Sequence, residues 1–223
     1  MIRTLLGLLA VTMVALPVSG QAQPAQGSAC GNPFVNHFGP WDYTTARRED
    51  IELVERFHFT PGVESMTRPA TTSFNTMAAD VAYTLQVFPN HHRALLTMQR
   101  LAQRYKVDTP PGSQLSVECW FDRALRFRPE DTVSRALYAR YLASKGRKPE
   151  AKLQIDEAVR HAGDDPLSNF NLGMVYFELG AFDEALAQAH KAAEFGYVRT
   201  ELVDQLKSVG KWRERADPAV QAK

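Results

Sequence analysis

Apolar residues recur at helical spacing through most of the chain. Met77, Val81, Leu85 and Phe88 lie three or four positions apart and would share one side of a helix. Proline, glycine and asparagine interrupt this spacing at short intervals, which divides it into helices joined by brief turns. No stretch keeps the two-residue alternation of a strand over a useful length. The pattern therefore predicts an all-α fold.

Most of the helices that this pattern predicts come in consecutive pairs. They cover residues 77–88, 91–104, 115–127, 132–145, 149–161, 166–179, 183–195 and 199–208. The segment 106–114 reads KVDTPPGSQ and is a loop, because adjacent prolines and a glycine cannot continue a helix. The last helix carries polar residues at most positions, so we expect it to close one end of the helical domain at 77–210.

An irregular N-terminal arm is predicted at residues 23–76. Prolines break any regular helix in its first part, at Pro24, Pro33 and Pro40. The same part carries more aromatic residues than a solvated tail would, at Phe34, Phe38, Trp41 and Tyr43. We therefore expect the arm to pack on the helical domain. A short helix at 51–59 and a helix start at Thr60 and Pro61 follow, then a loop at 67–76. Residues 211–223 form a C-terminal tail.

The first 22 residues have the pattern of a cleavable signal peptide. Arg3 precedes an apolar run of 12 residues from Leu5 to Leu16, which is too short to span a bilayer. Small residues Gly20 and Ala22 then predict cleavage after Ala22. An uncleaved membrane anchor is the alternative. A lipoprotein would need a cysteine directly after the apolar run, and Cys30 lies too far downstream. The sequence predicts export to a bacterial periplasm, with no stable membrane anchor after cleavage.

Two cysteines, Cys30 and Cys119, agree with export without proving it. An oxidising compartment permits a disulfide between them, which would pin the N-terminal arm to the helical domain. In the alternative, Cys119 is a small buried residue inside a helix and Cys30 is a free thiol.

The overall charge is close to neutral, with 26 basic and 25 acidic residues. A nucleic-acid-binding protein or a polybasic membrane-surface protein would carry a basic surplus. We therefore expect no nucleic-acid partner.

A period of 34 residues relates two successive helix pairs. It relates Gly146 to Gly180, Glu150 to Glu184, Ala151 to Ala185, and Ala158 to Ala192. Several coincidences in one register, within one pattern of helix pairs, indicate an internal repeat.

This repeat resembles the tetratricopeptide repeat (TPR) family. The best copy is 166–199, which carries the family's small and aromatic positions at Leu172, Gly173, Tyr176, Gly180, Phe182, Ala185 and Ala192. It departs from the family at Asn169, Ala189 and Tyr197. The copy at 132–165 is weaker, and the copy at 92–131 carries six extra residues near Pro110. The resemblance covers about 77–210 and implies a TPR-like helical-hairpin solenoid with an irregular N-terminal arm.

The resemblance also implies a site. In the family, the first helix of each pair lines a concave groove. The groove positions transferred to this chain are Arg93, Arg100, Gln103, Arg104, Val133, Ala136, Arg140, Ser144, Leu167, Phe170, Asn171, Met174 and Phe177. A groove that is basic at one end and apolar at the other suits a protein partner, such as a peptide with an acidic group or a C-terminal carboxylate, or a partner helix. In the alternatives, the arginines are solvated or paired within the chain, or the N-terminal arm fills the groove.

No catalytic arrangement emerges from the sequence. None of the six histidines lies in a haem-attachment or zinc-protease motif, and no glycine-rich phosphate loop is present. We expect no enzymatic activity, no cofactor and no metal. The leading hypothesis is a periplasmic scaffold for protein–protein interaction in cell-envelope assembly or secretion. One alternative is a structural accessory subunit of an envelope complex. Another is an enzyme, or a protein that binds a metal, a cofactor or a small molecule, whose site lies in the arm at His37, Asp42 and Tyr43.

Overall fold

The computed structural model describes residues 29–70 and 75–215, where ten α-helices and no strand confirm the all-α prediction. The helices are α1 (Arg48–His58), α2 (Pro61–Glu64), α3 (Met77–Val87), α4 (His92–Tyr105), α5 (Val117–Phe127), α6 (Thr132–Ser144), α7 (Lys148–Ala162), α8 (Pro166–Leu179), α9 (Phe182–Glu194) and α10 (Glu201–Ser208). Within these ranges, none of the helices has the length and apolar character needed to cross a membrane. The predicted signal peptide at 1–22 lies outside the described residues.

Side-chain caps fix where many of the helices begin. Asp131 accepts a hydrogen bond from the Ser134 backbone N–H at 2.9 Å, and Asp165 accepts one from Ser168 at 2.7 Å. These two caps lie 34 residues apart, so the predicted period is also a period of helix starts. Such a cap satisfies one of the N–H groups that the first turn of a helix leaves free.

Several helices begin one to three residues away from the predicted position, among them the first and the last. The first begins at Arg48 and not at residue 51, because Glu49 and Asp50 suit the positive end of the helix dipole although they are not apolar. The last begins at Glu201 and not at residue 199, because Thr200 lies just before the helix and donates a hydrogen bond to Asp204 at 2.8 Å.

Glycine ends two of the repeat helices in the same way. Gly180 has a φ of +81° and Gly146 a φ of +78°, a left-handed conformation that a side chain would strain. After each glycine, a backbone N–H returns to the helix, from Ala181 to Tyr176 and from Arg147 to Leu142, both at 2.9 Å. This closed turn sends the chain directly into the second helix of each pair.

Consecutive helices pack in pairs, α6 with α7 and α8 with α9, and the first helices contact one another in the order α4, α6, α8. Gly173 on α8 permits one close approach. A Cβ atom there would lie 2.5 Å from Leu202 Cδ2 and 3.1 Å from Gln188 Cβ. The glycine therefore lets α9 and α10 pack directly on α8. Leu202 and Leu206 bury the inner face of α10, and Trp212 folds back onto His190, with ring centroids 4.7 Å apart.

The described part of the N-terminal arm packs on α3, as its aromatic residues predicted. The Trp41 backbone N–H donates to the carbonyl oxygen of Val87 at 2.8 Å, and the rings of Trp41 and Tyr43 contact Phe88. Phe88, Val87 and Val54 form a small core beneath these rings, beside the main core of the helical domain.

A disulfide joins Cys30 to Cys119 across 89 residues of sequence. It ties the start of the described arm to α5. Next to it, Arg123 donates hydrogen bonds to the carbonyl oxygens of Cys30 and Asn32, at 3.3 and 3.0 Å. Burial lowers the pKa of Arg123, which is only 6% exposed. The arm therefore supplies acceptors to a guanidinium that the fold has buried.

Candidate functional site

The helices α4, α6 and α8 lie side by side and present one continuous polar and apolar face. We call this face the α4–α6–α8 surface. It is defined by exposed residues of the three helices, namely Arg100, Gln103, Val133, Arg140, Leu167 and Asn171. All six are positions at which the sequence predicted a groove. Two depressions open on this surface, one at each junction between neighbouring helices.

The first depression, of about 190 Å³, lies between α6 and α8. Its lining consists of Thr132, Val133, Ala136, Leu137, Arg140, Ser168, Asn171 and Leu172. Arg140 and Asn171, two of the predicted groove residues, therefore lie at the same depression. Arg140 donates to both carboxylate oxygens of Glu178, at 2.8 and 2.9 Å. The depression offers hydrogen-bond donors above an apolar floor, which suits a peptide with one polar and one apolar side.

The second depression, of about 430 Å³, lies between the C-terminal ends of α4 and α6. Its lining consists of Gln99, Ala102, Gln103, Lys106, Val107, Asp108, Tyr141, Ser144 and Lys145. Lys145 donates to Asp108 at 2.7 Å and lies over the Tyr141 ring, 5.6 Å from its centroid. Gln103 and Ser144 were predicted groove positions, and the structure brings them together here.

Besides Arg140, two more of the predicted groove arginines have partners within the chain. Arg93 donates to both carboxylate oxygens of Glu64 on α2, at 2.8 and 2.7 Å. The hydrogen bond from Arg93 lowers the pKa of Glu64. Arg104 donates to the carbonyl oxygen of Met66 at 2.5 Å. Both arginines therefore hold the segment 60–66 against α4, in place of the ligand that the resemblance implies.

Arg100 differs from its neighbours on α4. It is exposed and makes no ion pair or hydrogen bond with the residues that the structure describes. Of the predicted groove arginines, Arg100 therefore has no partner among the described residues, and Arg140 has the exposed carboxylate of Glu178 as its partner.

Three of the predicted apolar groove residues lie deeper than expected. Phe170 is 8% exposed and its ring stacks on Tyr197 at 4.5 Å, so it belongs to the core and does not line the surface as predicted. Met174 and Phe177 are half-buried, and Phe177 packs on Phe182 at 5.3 Å. Val133 and Leu167 are the exposed apolar residues of this surface, at 42% and 51%.

A polar cluster that the sequence did not indicate lies behind the surface. The amide nitrogen of Asn90 donates to Asp42 at 2.8 Å and to Asp131 at 2.9 Å, and His92 contacts Asp131 at 2.8 Å. Burial acts to raise the pKa of Asp131, but hydrogen bonds from His92, Ser134 and Asn90 outweigh it, so the pKa lies below its usual value. The cluster joins the arm, α4 and α6 through a charge held away from solvent.

His91, which caps α4, is completely buried and neutral. Its Nδ1 accepts a hydrogen bond from the Ala94 backbone N–H at 3.1 Å, so that nitrogen carries no proton. Its Nε2 lies 3.0 Å from a carboxylate oxygen of Glu55 and donates to it. Burial lowers the pKa of His91, although Glu55 acts in the opposite direction.

Acidification between pH 7 and pH 5 should therefore destabilise the protein through His91. Unfolded histidine takes up a proton near pH 6.5, whereas folded His91 does so only at lower pH. Its contribution to the free energy of unfolding is complete above pH 6.5 and falls by up to about 1.4 kcal/mol per pH unit below it.

The variant His91→Asn tests this prediction, because asparagine also caps helices well but does not titrate. In urea unfolding at pH 7, 6 and 5, its free energy of unfolding should fall less with acidification than that of the wild type. The exposed His161→Asn is the control. If the free energy of unfolding falls equally with pH in the wild type and in His91→Asn, His91 is not the group responsible.

The arm residues of the alternative hypothesis do not form one site. Asp42 and Tyr43 contact Asn90 and His91, whereas His37 lies at a separate apolar depression beside Tyr83. In residues 29–70 and 75–215, no group of three or more His, Cys, Asp or Glu side chains is placed to hold a metal ion.

Sequence reasoning also missed Gln99 and Tyr141, which line the second depression. A signal for Gln99 was present. It lies between Leu95 and Ala102 at helical spacing, so it is a polar residue on the inner face of α4. Asp108, in the loop between α4 and α5, also lines the second depression, but the sequence gave no signal for it.

Comparison of the chain with models of known protein families, with curated proteins and with solved structures found no match.

Proposed function

We propose that this protein is a TPR-like scaffold that binds an extended peptide segment of a protein partner on its α4–α6–α8 surface. The observation that carries the proposal is the direct contact of α4 with α6 and of α6 with α8, with a depression at each junction. A solenoid of helix pairs places its first helices side by side in this way.

The chemistry of the surface favours a peptide with an acidic group. Arg100 is exposed, and Arg140 is held only by an exposed pair with Glu178. Exposed ion pairs contribute roughly 0–1 kcal/mol, so a ligand carboxylate can replace Glu178 at little cost. Arginine binds carboxylates through two parallel hydrogen bonds, which gives direction as well as affinity. Val133 and Leu167 offer apolar contacts beside these donors.

The proposed setting is the periplasm. The signal-peptide pattern at 1–22 supports this setting, and so does the disulfide between Cys30 and Cys119, because disulfides form and persist in oxidising compartments. A peptide-binding scaffold there would serve cell-envelope assembly or secretion.

The test is selection from a random peptide library displayed on phage, followed by calorimetry with the enriched peptides. An Arg100→Glu/Arg140→Glu variant should bind these peptides at least about tenfold more weakly, because two charge-assisted hydrogen bonds become repulsive contacts. Both positions are exposed, so the melting temperature should stay close to that of the wild type.

The matched control is Arg160→Glu, which reverses an exposed arginine paired with Glu157 on α7. This control should bind within about twofold of the wild type, since a surface charge away from the ligand changes affinity little. Equal binding by all three proteins would place the peptide elsewhere, and a selection that enriches no peptide would refute peptide binding itself.

A further inference from the structure

Gln99 is a buried amide with an unused acceptor. It lines the second depression, yet it is only 8% exposed. Its Oε1 is closed to solvent and accepts no hydrogen bond from the described residues. Leaving such an atom unpaired costs roughly 1–3 kcal/mol, so it marks a place where the folded protein lacks a partner.

Three other acceptors around this depression are already used. The Val107 backbone N–H donates to the carbonyl oxygen of Ala102 at 3.0 Å, and the Ser144 hydroxyl donates to that of Tyr141 at 2.6 Å. Asp108 accepts from Lys145. The unpaired oxygen of Gln99 is therefore not a general feature of this end of the helices.

The depression has room for a group of a ligand beside Gln99. Its volume of about 430 Å³ is many times the roughly 30 Å³ that one water molecule occupies in the liquid. The last torsion of a glutamine side chain is soft, so the amide can turn its oxygen or its nitrogen toward the space. Rotation about this torsion can therefore offer the unused acceptor to a ligand.

The charges at the rim narrow the kind of ligand. An acceptor needs a donor, which a carboxylate lacks. Ammonium and guanidinium groups are donors, but Lys106 and Lys145 outnumber Asp108 in the lining, and Asp108 is already paired with Lys145, so the net positive charge repels them. A neutral amide supplies both an N–H for the Gln99 oxygen and a carbonyl oxygen for its nitrogen.

We propose that the second depression is a subsite for an amide group of the bound peptide, held by Gln99. The amide belongs to an asparagine or glutamine side chain or to the peptide main chain. This inference deepens the proposed function and rests on it.

The experiment repeats the phage selection and the calorimetry with Gln99→Met, which keeps the length of the side chain and removes its polar atoms. Wild type should enrich peptides with asparagine or glutamine at one fixed position, and Gln99→Met should lose that preference. Its affinity for those peptides should fall about fivefold to tenfold, the effect of one or two neutral hydrogen bonds. The melting temperature of Gln99→Met should equal or exceed that of wild type, because the variant no longer buries an unpaired oxygen.

Gln188→Met is the matched control. Gln188 is also 8% exposed with an unpaired Oε1, but it lies on α9 and does not line this depression. Its substitution should leave peptide selection and affinity unchanged.

The outcomes separate the two sources of the amide. If the peptides show no preference for asparagine or glutamine, but Gln99→Met still binds them at least fivefold more weakly, the main chain supplies the amide. N-methylation of one peptide bond should then cause the same loss.

Other outcomes overturn the subsite. Equal selection and affinity for wild type and Gln99→Met would do so while the proposed function stands. If charged residues are enriched at the fixed position and Gln99→Met loses that preference, the group bound by Gln99 is charged and is not an amide. A Gln99→Met protein much less stable than Gln188→Met would make Gln99 a structural residue. A selection that enriches no peptide would remove both proposals.

Discussion

Replacing Cys30 and Cys119 by alanine should lower the free energy of unfolding by about 4–5 kcal/mol. The disulfide links residues 89 positions apart, and a cross-link of that span removes much of the conformational freedom of the unfolded chain. The native state loses contacts as well. Arg123 is buried and donates to carbonyl oxygens of the arm segment that the disulfide holds in place. A loss of this size is a large part of the stability of a typical domain.

Urea unfolding of the wild type and of the double alanine variant, each with and without dithiothreitol, measures this effect. Reductant should bring the wild type down to the stability of the variant and leave the variant unchanged. The variant thereby controls for any other action of the reductant. A wild type that loses less than about 1 kcal/mol on reduction would show that the contacts of the arm, and not the cross-link, hold it in place.

Asp131→Ala should lower the free energy of unfolding by about 3–5 kcal/mol, because it removes a helix cap of about 1 kcal/mol and leaves buried hydrogen-bonding groups unpaired at about 1–3 kcal/mol each. The carboxylate caps α6 through Ser134 and accepts from Asn90 and His92, and its side chain is 4% exposed. Its loss leaves the buried amide of Asn90 and the half-buried ring of His92 without this partner.

Asp165→Ala is the matched control for this prediction. Asp165 caps α8 in the same way, 34 residues later, but it is exposed. Its loss should remove about 1 kcal/mol, the usual contribution of an N-cap. Thermal and urea unfolding of both variants gives the comparison. Similar losses at the two positions would show that the buried cluster adds nothing beyond the cap.

Acid should weaken the contribution of Asp131. Because its pKa in the folded protein lies below the usual value, its stabilising effect is complete above the unfolded pKa, near 3.8, and is lost as the pH falls below it. The destabilisation that His91 causes begins near pH 6.5, so the two groups act in separate pH ranges.

The periodic features of the sequence determined the helices. Apolar spacing, proline positions and capping residues act within one or two turns of a helix, so helices α3 to α10 could be placed to within two residues. The 34-residue period placed equivalent caps at Asp131 and Asp165 and equivalent turns at Gly146 and Gly180. Each of these features depends on residues that are close together in the sequence, so the sequence alone is enough to predict it.

Tertiary structure decided which of the predicted site residues can meet a ligand. Arg93 and Arg100 lie on one helix and both are exposed, but α2 packs beside Arg93 and supplies Glu64 as its partner, while Arg100 has no partner among the described residues. Phe170 was predicted at the surface, and Tyr197 from beyond α9 covers it. Such contacts join residues far apart in the chain, so no local pattern reveals them.

Long-range contacts also explain why the two capping aspartates differ in their surroundings and why the oxygen of Gln99 is unpaired. Asp131 and Asp165 are equivalent in sequence, but the arm and α4 bring Asn90 and His92 to Asp131 alone. For Gln99, the sequence showed a polar residue on an inner helix face, and only the packing of α4 against α6 left its oxygen unpaired beside an open depression. The sequence by itself determined the helices and their repeat. Burial, charge pairing and the candidate site depend on the long-range packing that brings distant segments together.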